Sequence, residues 1–368
     1  MISTRLIMLE GLSSTGKTTN ARFIHLQLQR HEICSKWIHE IAVPHPVLFF
    51  TEAGLTHEEY SLFLTEHPDA EAILADMAVF RESTVGIDLT ELQWRYDDED
   101  GQRVYQALLA YEVWNYPTEV YSKFALEKWQ HFTSEALKHP EEVYIIDSAI
   151  YQYQIYSYLL RNRPFPELLS FVQKITEIVQ PLNPCLIFLR REDTEATIDY
   201  LEKIRGTSYL EYIWQRDNDQ PYYMGRPTGA EGYKEFLRDY AVIADMLCEA
   251  FPSHKMVLDI TEENWTCLED QMLSFLDISR IPDPVAYPQD GIYVNAEFGF
   301  IIRVEGMSIT DPREQIRPLH LKSPNEFYVD WIPTVLCFEE NSIVISGSQT
   351  GSRWTTTGLV FEKQTERT

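Results

Sequence analysis

The run Gly11-Leu12-Ser13-Ser14-Thr15-Gly16-Lys17-Thr18-Thr19 fits the pattern G-x-x-x-x-G-K-[ST]. Each part of it has a physical use in holding a polyphosphate. Gly11 and Gly16 lack a Cβ, so the backbone can wrap an anion closely. Loop N–H groups across Ser13, Ser14, Thr15 and Gly16, and the start of the helix that follows, direct partial positive charge at it. Lys17 adds a mobile cation for the β- and γ-phosphates, Thr18 offers a hydroxyl to Mg²⁺, and Thr19 completes the set. The spacing predicts a site for ATP with Mg²⁺. The bland alternative is a glycine-serine turn that happens to end in Gly-Lys-Thr. The setting opposes it, because the run lies between an apolar strand at Leu6 to Leu9 and a helix from about Lys17 to His31.

A metal beside a polyphosphate needs a second acid. Asp147 ends the apolar run Val143-Tyr144-Ile145-Ile146, which puts it at the carboxyl edge of a parallel sheet, where α/β ligands bind. It is the candidate metal ligand with Thr18. Its structural alternative is a turn or helix cap, since Ser148 and a helix follow. Glu40, after His39, closes the second strand on the same edge. It is a candidate to take a proton from an acceptor hydroxyl or to hold a substrate donor, against the plain reading of a surface carboxylate. Phosphoryl transfer also needs cations around the moving group. Arg190 and Arg191 follow the fourth strand. Arg205, Arg216 and Arg226 lie in a stretch with Gly206, Gly225, Pro227 and Gly229, a composition that suits a lid loop over about 203–229. Any one of these arginines could instead be a solvated helix charge. The aromatics Trp94, Tyr96, Tyr105, Tyr111, Trp114, Tyr116 and Tyr121 read as core packing ahead of an acceptor-stacking surface. Asp97-Asp98-Glu99-Asp100 reads as a solvated loop.

The elements that position these residues follow from periodicity. Strands are expected at Leu6 to Leu9, Ile33 to Ile38, Val143 to Ile146, Cys185 to Leu189 and Lys255 to Leu258, with a last helix from about Glu263 to Leu276. Short, wholly apolar strands alternating with helices predict an α/β domain with a five-stranded parallel sheet flanked by helices. Residues 47–140 form a long, mostly helical insertion, clearest at Asp69 to Phe80 and Thr118 to His139. This domain is expected over 1–278. Ile281-Pro282-Asp283-Pro284 reads as a linker. Beyond it, β-type runs at Gly291 to Val304, Glu326 to Val329, Thr334 to Phe338, Ser342 to Ser346 and Leu359 to Glu362 predict a small antiparallel β domain over 285–368.

Formal net charge is −26, which argues against a nucleic-acid backbone as partner. Residues 283–368 carry 7 Lys+Arg against 12 Asp+Glu, leaving 24 against 45 in the rest of the chain. A hydrophobic content of 44% supports a sizeable core and excludes general disorder. The five cysteines are scattered, with no C-x-x-C pair, so neither a disulfide framework nor a zinc site is expected. No apolar run approaches the ~20 residues of a membrane helix, and the start at Met1-Ile2 lacks a signal-peptide pattern. A cytoplasmic protein with a small-molecule acceptor is expected; a homo-oligomer is left open.

The order of parts resembles the nucleotide- and nucleoside-kinase branch of P-loop proteins, over about residues 1–278. Leu9-Glu10-Gly11 leading into Gly16-Lys17-Thr18-Thr19 is similar to the opening of thymidylate kinase. Glu40 falls where deoxynucleoside kinases place a catalytic Glu, Asp147-Ser148 where these families carry an acid followed by Arg, and Arg190 to Arg226 where they carry the lid. Ser13 stands where thymidylate kinases usually have Asp, Ser148 replaces the Arg, and the insertion is long for them. The resemblance implies a kinase that moves the γ-phosphate of ATP to a nucleoside, nucleotide or antibiotic. A non-catalytic nucleotide-dependent switch or scaffold acting through the β domain is the alternative. The absence of an Asn-Lys-x-Asp sequence disfavours its GTPase form. The last 80 or so residues, through Gly291-Ile292-Tyr293, Leu321-Lys322-Ser323-Pro324 and Gly358 to Lys363, resemble a small β domain behind some β-lactamase-like proteins.

Overall fold

The computed structural model describes residues 3–49, 51–347 and 352–364; Met1 and Ile2 of the N-terminal reading lie outside them. Among the described residues, eight strands precede the C-terminal region: β1 (Leu6–Gly11), β2 (Ser35–Ile38), β3 (Glu52–Thr56), β4 (Val79–Phe80), β5 (Thr84–Asp88), β6 (Val143–Asp147), β7 (Pro184–Arg190) and β8 (His254–Asp259). Five of them form one sheet in the order β2-β6-β1-β7-β8, and every pairing is parallel. The central strands are buried along their whole length in β1 and β6, which explains apolar runs without alternation. The α/β fold and the parallel sheet are as expected.

The insertion is mostly helical, as expected, and also carries strands that were not expected. Thr118–Leu137 is a 20-residue helix, but β3, β5 and β4 form a three-stranded sheet in that order. Within Asp69 to Phe80 only Ala70–Leu74 is helical, and Val79–Phe80 is a strand. Short apolar runs do not separate helix from strand by period alone. The deciding contacts are distant in sequence. A Cβ on Gly54 would lie 2.5 Å from Val113 Cγ2, and one on Gly86 would lie 2.4 Å from Glu52 Oε1. Glu52 is buried between Arg81 Nη2, at 2.7 Å, and Lys128 Nζ, a charge cluster that ties β3 to the long helix.

The stretch expected as a lid loop is also more regular. Thr207–Asp217 is a helix and a second helix begins at Gly229, so non-helical backbone is confined to Gly206 and most of the segment 218–228.

Eight further strands close into an antiparallel barrel: β9 (Gly291–Asn295), β10 (Phe300–Glu305), β11 (Ser308–Thr310), β12 (Ile316–Ser323), β13 (Glu326–Val329), β14 (Val335–Phe338), β15 (Ser342–Ser346) and β16 (Val360–Lys363). Closure is made by β16 against β9, with Glu362 opposite Val294. Tyr293, Ile302, Val304, Phe327, Leu336, Ile345 and Phe361 fill the interior, so the barrel encloses side chains and leaves no edge strand among the described residues. β11 and β12 were not among the expected runs. Pro318 inside β12 has no N–H to give to the ladder, yet β12 keeps its pairing with β11 opposite Ser308, and the buried Asp311 carboxylate turns the chain between them by accepting from Arg313 N, Gln315 N and Arg317 Nε.

The described residues fall into two compact units. One takes Met1–Glu40, His45–Ile87 and Gln106–Arg280; the other takes Ile41–Pro44, Asp88–Tyr105 and Ile281–Thr368. The second unit therefore contains the barrel and a piece of the insertion, with Asp97 paired to Arg353. Among the described residues no helix is long and apolar enough to cross a membrane.

Candidate functional site

β1 runs into the glycine-bearing loop at the carboxyl edge of the sheet. Gly11 ends the strand at φ 150, and a Cβ there would lie 2.3 Å from Leu189 O and 2.8 Å from Thr15 Oγ1. Ser14 (φ 66) and Gly16 (φ 87) both adopt left-handed backbone, and the first helix, α1 (Lys17–Arg30), starts directly after Gly16 with no side-chain cap. Thr15 Oγ1 donates to Leu12 O at 2.9 Å and closes the turn. Among the described residues, none of the backbone N–H groups from Ser13 to Thr18 finds an acceptor. Successive N–H groups with alternating left-handed backbone form an anion-binding concavity, reinforced by the helix N-terminus.

Lys17 is buried and donates to Gly11 O at 2.9 Å and Leu12 O at 2.8 Å. Burial lowers the pKa of its ammonium, opposed by the carboxylates of Glu40, Glu10 and Asp147. Thr18 is half-buried and Thr19 is exposed on the first turn of α1.

Asp147 ends β6 directly opposite Leu9 of β1. It is fully buried, and neither carboxylate oxygen has a hydrogen-bond partner of good geometry. Burial raises its pKa to about 6. His39, the nearby Thr18 hydroxyl and Lys17 favour the charged form, whereas Glu40 opposes it. A buried, unpartnered carboxylate beside a hydroxyl and an anion-binding loop fits the donor set of a hard divalent cation such as Mg²⁺.

Glu40 is half-buried after β2 and accepts from Gln152 Nε2 at 3.1 Å. Lys17, Thr18, Glu40 and Asp147 are thus brought together. Sequence reasoning did not give a site role to Glu10, which belongs to this cluster. It accepts from Ile150 N at 2.7 Å, Tyr151 N at 3.0 Å and Gln152 N at 3.2 Å, capping the helix Gln152–Leu159 from across the sheet. Burial raises its pKa to about 7 against these hydrogen bonds and the attraction of Lys17. The available signal was an ionisable residue inside a strand otherwise buried and apolar.

The arginines divide. Arg216 forms a two-pronged pair with Asp217, Nε to Oδ1 at 2.7 Å and Nη2 to Oδ2 at 2.6 Å. Arg226 is held by Asp239 at 3.1 Å and by Glu235, with its guanidinium 3.9 Å from the centre of the Tyr222 ring. Arg205 is exposed, lies 5.6 Å from the centre of the Tyr209 ring, and has no carboxylate partner among the described residues. Tyr116 and Tyr121 pack in the insertion, their hydroxyls donating to Gly54 O and Gln154 Oε1 at 2.7 and 2.8 Å. Surface clefts of about 530 and 400 Å³, the first beside Asp270 to Arg280 and the second beside Thr118 and Lys174, contain none of the residues of this cluster.

No family model matches the chain, and no curated protein matches it. Among solved structures, it is similar to the YorR protein from Bacillus subtilis in complex with phosphorylated GDP, at 12% identity and a TM-score of 0.34, over 74% of this chain and 95% of that one. It is also similar to thymidylate kinase from Candida albicans, at 14% identity and a TM-score of 0.29, over 76% of this chain and 96% of that one. The likeness to nucleotide-kinase-like folds is distant, and at these TM-scores it is one of general arrangement only.

Proposed function

We propose that the chain is an ATP- and Mg²⁺-dependent phosphotransferase that moves the γ-phosphate to a small-molecule hydroxyl or phosphate acceptor. The observation that carries this reading is the run of N–H groups without acceptors from Ser13 to Thr18, set beside Lys17 and the unpartnered Asp147 carboxylate. A polyphosphate satisfies those donors together, and Lys17 transfers its hydrogen bonds from the Gly11 and Leu12 carbonyls to phosphate oxygens. Thr18 and Asp147 would hold Mg²⁺, which would supply positive charge against the transferring group. Glu40, held by Gln152, takes the proton of a hydroxyl acceptor or orients the acceptor. Arg205 is the lid cation free to reach the phosphates. The work is positioning and charge stabilisation. The charge of −26 favours a small molecule over a polynucleotide.

The test is calorimetric titration with ATP and Mg²⁺, followed by mass detection of γ-phosphate transfer to nucleosides, nucleotides, aminoglycosides and peptide antibiotics. One-to-one binding and a product heavier by one phosphate are expected. A protein that binds no nucleoside triphosphate would end the proposal.

A further inference from the structure

β8 is an edge of the five-stranded sheet. It pairs with β7 in continuous register, from Cys185 opposite His254 to Arg190 opposite Asp259. Ile260 N continues the pairing by donating to Arg190 O at 2.9 Å. In a parallel ladder the N–H and C=O of one residue point to the same side, and successive residues alternate. His254, Met256 and Leu258 therefore turn their backbone groups to β7, and Lys255, Val257 and Asp259 turn theirs outward. Among the described residues none of those three outward N–H groups finds an acceptor.

Proteins blunt such an edge with a proline, a bulge or an outward lysine. β8 has neither proline nor bulge. Its lysine is turned back, with Lys255 Nζ donating to Cys248 O at 2.6 Å and Glu249 O at 2.7 Å, near the end of the helix Gly229–Ala250. A second tether joins the same helix to the edge, Asp245 lying 3.4 Å from Arg190, the register neighbour of Asp259. Val257 on the strand and Met246 on the helix fall between the two tethers. Val257 lies opposite Phe188, whose ring centre is 6.3 Å from that of Tyr151, and the Tyr151 hydroxyl donates to Leu247 O of that helix at 3.0 Å. Val257 thus projects on the helix side of the sheet. It is 46% exposed, Met246 41%, and Val242, one turn before Met246, 61%. An unpaired strand and an apolar flank lie side by side.

The order of residues along β8 selects the partner. When β8 pairs antiparallel with a second β8 about a two-fold axis at Val257, Val257 meets Val257, and each Lys255 meets the Asp259 of the other copy. The Asp259 carboxylate is fixed at that place by Thr261 N, which donates to it at 2.9 Å. The outward backbone groups fall on the positions that exchange hydrogen bonds in this register, whereas a slip of one residue turns them away. A two-fold axis perpendicular to the sheet keeps both Gly229–Ala250 helices on one face, so Val242 and Met246 of each copy flank the Val257 pair.

We infer that the chain forms a two-fold dimer through β8, a second copy of the same strand extending the sheet edge to edge.

The experiment uses the full chain. Light scattering during gel filtration, with loadings from about 1 to 100 μM, should give a mass rising towards twice the 43.1 kDa of one chain. Val257→Lys sets two ammonium groups face to face at the axis. It should raise the dimer dissociation constant by about 100-fold or more, with the circular dichroism spectrum unchanged. Val257→Cys should give a covalent dimer under mild oxidation, because residues facing each other at a hydrogen-bonded antiparallel position have Cα atoms ~5.5 Å apart, within reach of a disulfide. Wild type, with Cys34 and Cys267 exposed, is the control for that reaction. A monomer at every concentration overturns the inference and leaves the edge to solvent or to a strand of another protein. A dimer that Val257→Lys does not weaken and Val257→Cys does not cross-link uses another surface and overturns it equally.

Discussion

Gln152 links two carboxylates: its side-chain amide donates to Glu40 Oε2 at 3.1 Å, and its backbone N–H donates to Glu10 Oε2 at 3.2 Å. The helix after β6 is thereby fixed to the ends of both β2 and β1. Gln152→Ala should free Glu40 from this side-chain partner and lower kcat about tenfold, the cost of one charge-assisted hydrogen bond. Affinity for ATP, measured by calorimetry, should be unchanged. An equal loss in both would mean that Gln152 supports the whole edge of the sheet and not Glu40.

Lys17→Ala removes the cation that rests on the Gly11 and Leu12 carbonyls. The variant also removes the cost of burying an ammonium, whose pKa burial lowers, so the melting temperature should change little. Turnover should fall by at least about 100-fold, since a phosphate charge in a preorganised site is worth ~3 kcal/mol or more in the transition state. Near-normal turnover with an intact melt would reassign the loop as a structural turn.

Asp147→Asn keeps the shape of a fully buried side chain and deletes its charge. The Mg²⁺ concentration giving half-maximal activity should rise by about tenfold or more, as loss of one carboxylate ligand predicts. Stability at pH 8 should not fall, because the raised pKa of about 6 means that the ionised form is the disfavoured one in the folded protein. A Mg²⁺ titration identical to wild type would place Asp147 outside the metal site.

The pH dependence of stability should carry the mark of Glu10. Its folded pKa, about 7, lies above the ordinary 4.5, so the folded chain holds a proton that the unfolded chain has released. Its contribution to stability is full below about pH 4.5 and is lost as pH rises to about 7, by up to ~3 kcal/mol. Urea midpoints from pH 5 to 8 should fall less steeply in Glu10→Gln than in wild type. Parallel slopes would show that Glu10 does not titrate in that window.

Cutting the chain after Ser279 removes the barrel and with it the companion of residues 88–105. The five-stranded sheet and the helix Trp265–Phe275 are complete before the cut, so ATP binding should survive. Hydrogen exchange at residues 88–105 should accelerate, because that segment belongs to the same compact unit as the barrel. The Asp97–Arg353 pair is solvent-exposed, and Arg353→Ala alone should shift stability by less than about 1 kcal/mol. Unchanged exchange at 88–105 in the truncated chain would show that the segment is held by the α/β unit.

The amino-acid sequence alone determined the parallel sheet, the loop and the candidate acids at its edge. Wholly apolar runs such as Leu6 to Leu9 are legible because a strand buried on both faces has no polar side. The glycines at 11 and 16 are legible because few other residues tolerate their backbone. What pairs with what across long sequence distances was not legible. β3, β4 and β5 pair within an insertion of mixed period. β12 carries a proline. Residues 88–105 join a barrel almost 200 residues further on. The division among the arginines was also tertiary. Arg205, Arg216 and Arg226 are alike in sequence, and only folding brings Asp217, Glu235 and Asp239 onto two of them. Glu10 gained its place in the same way, when the edge of β1 met the helix after Asp147 and its carboxylate became the acceptor for three N–H groups about 140 residues away.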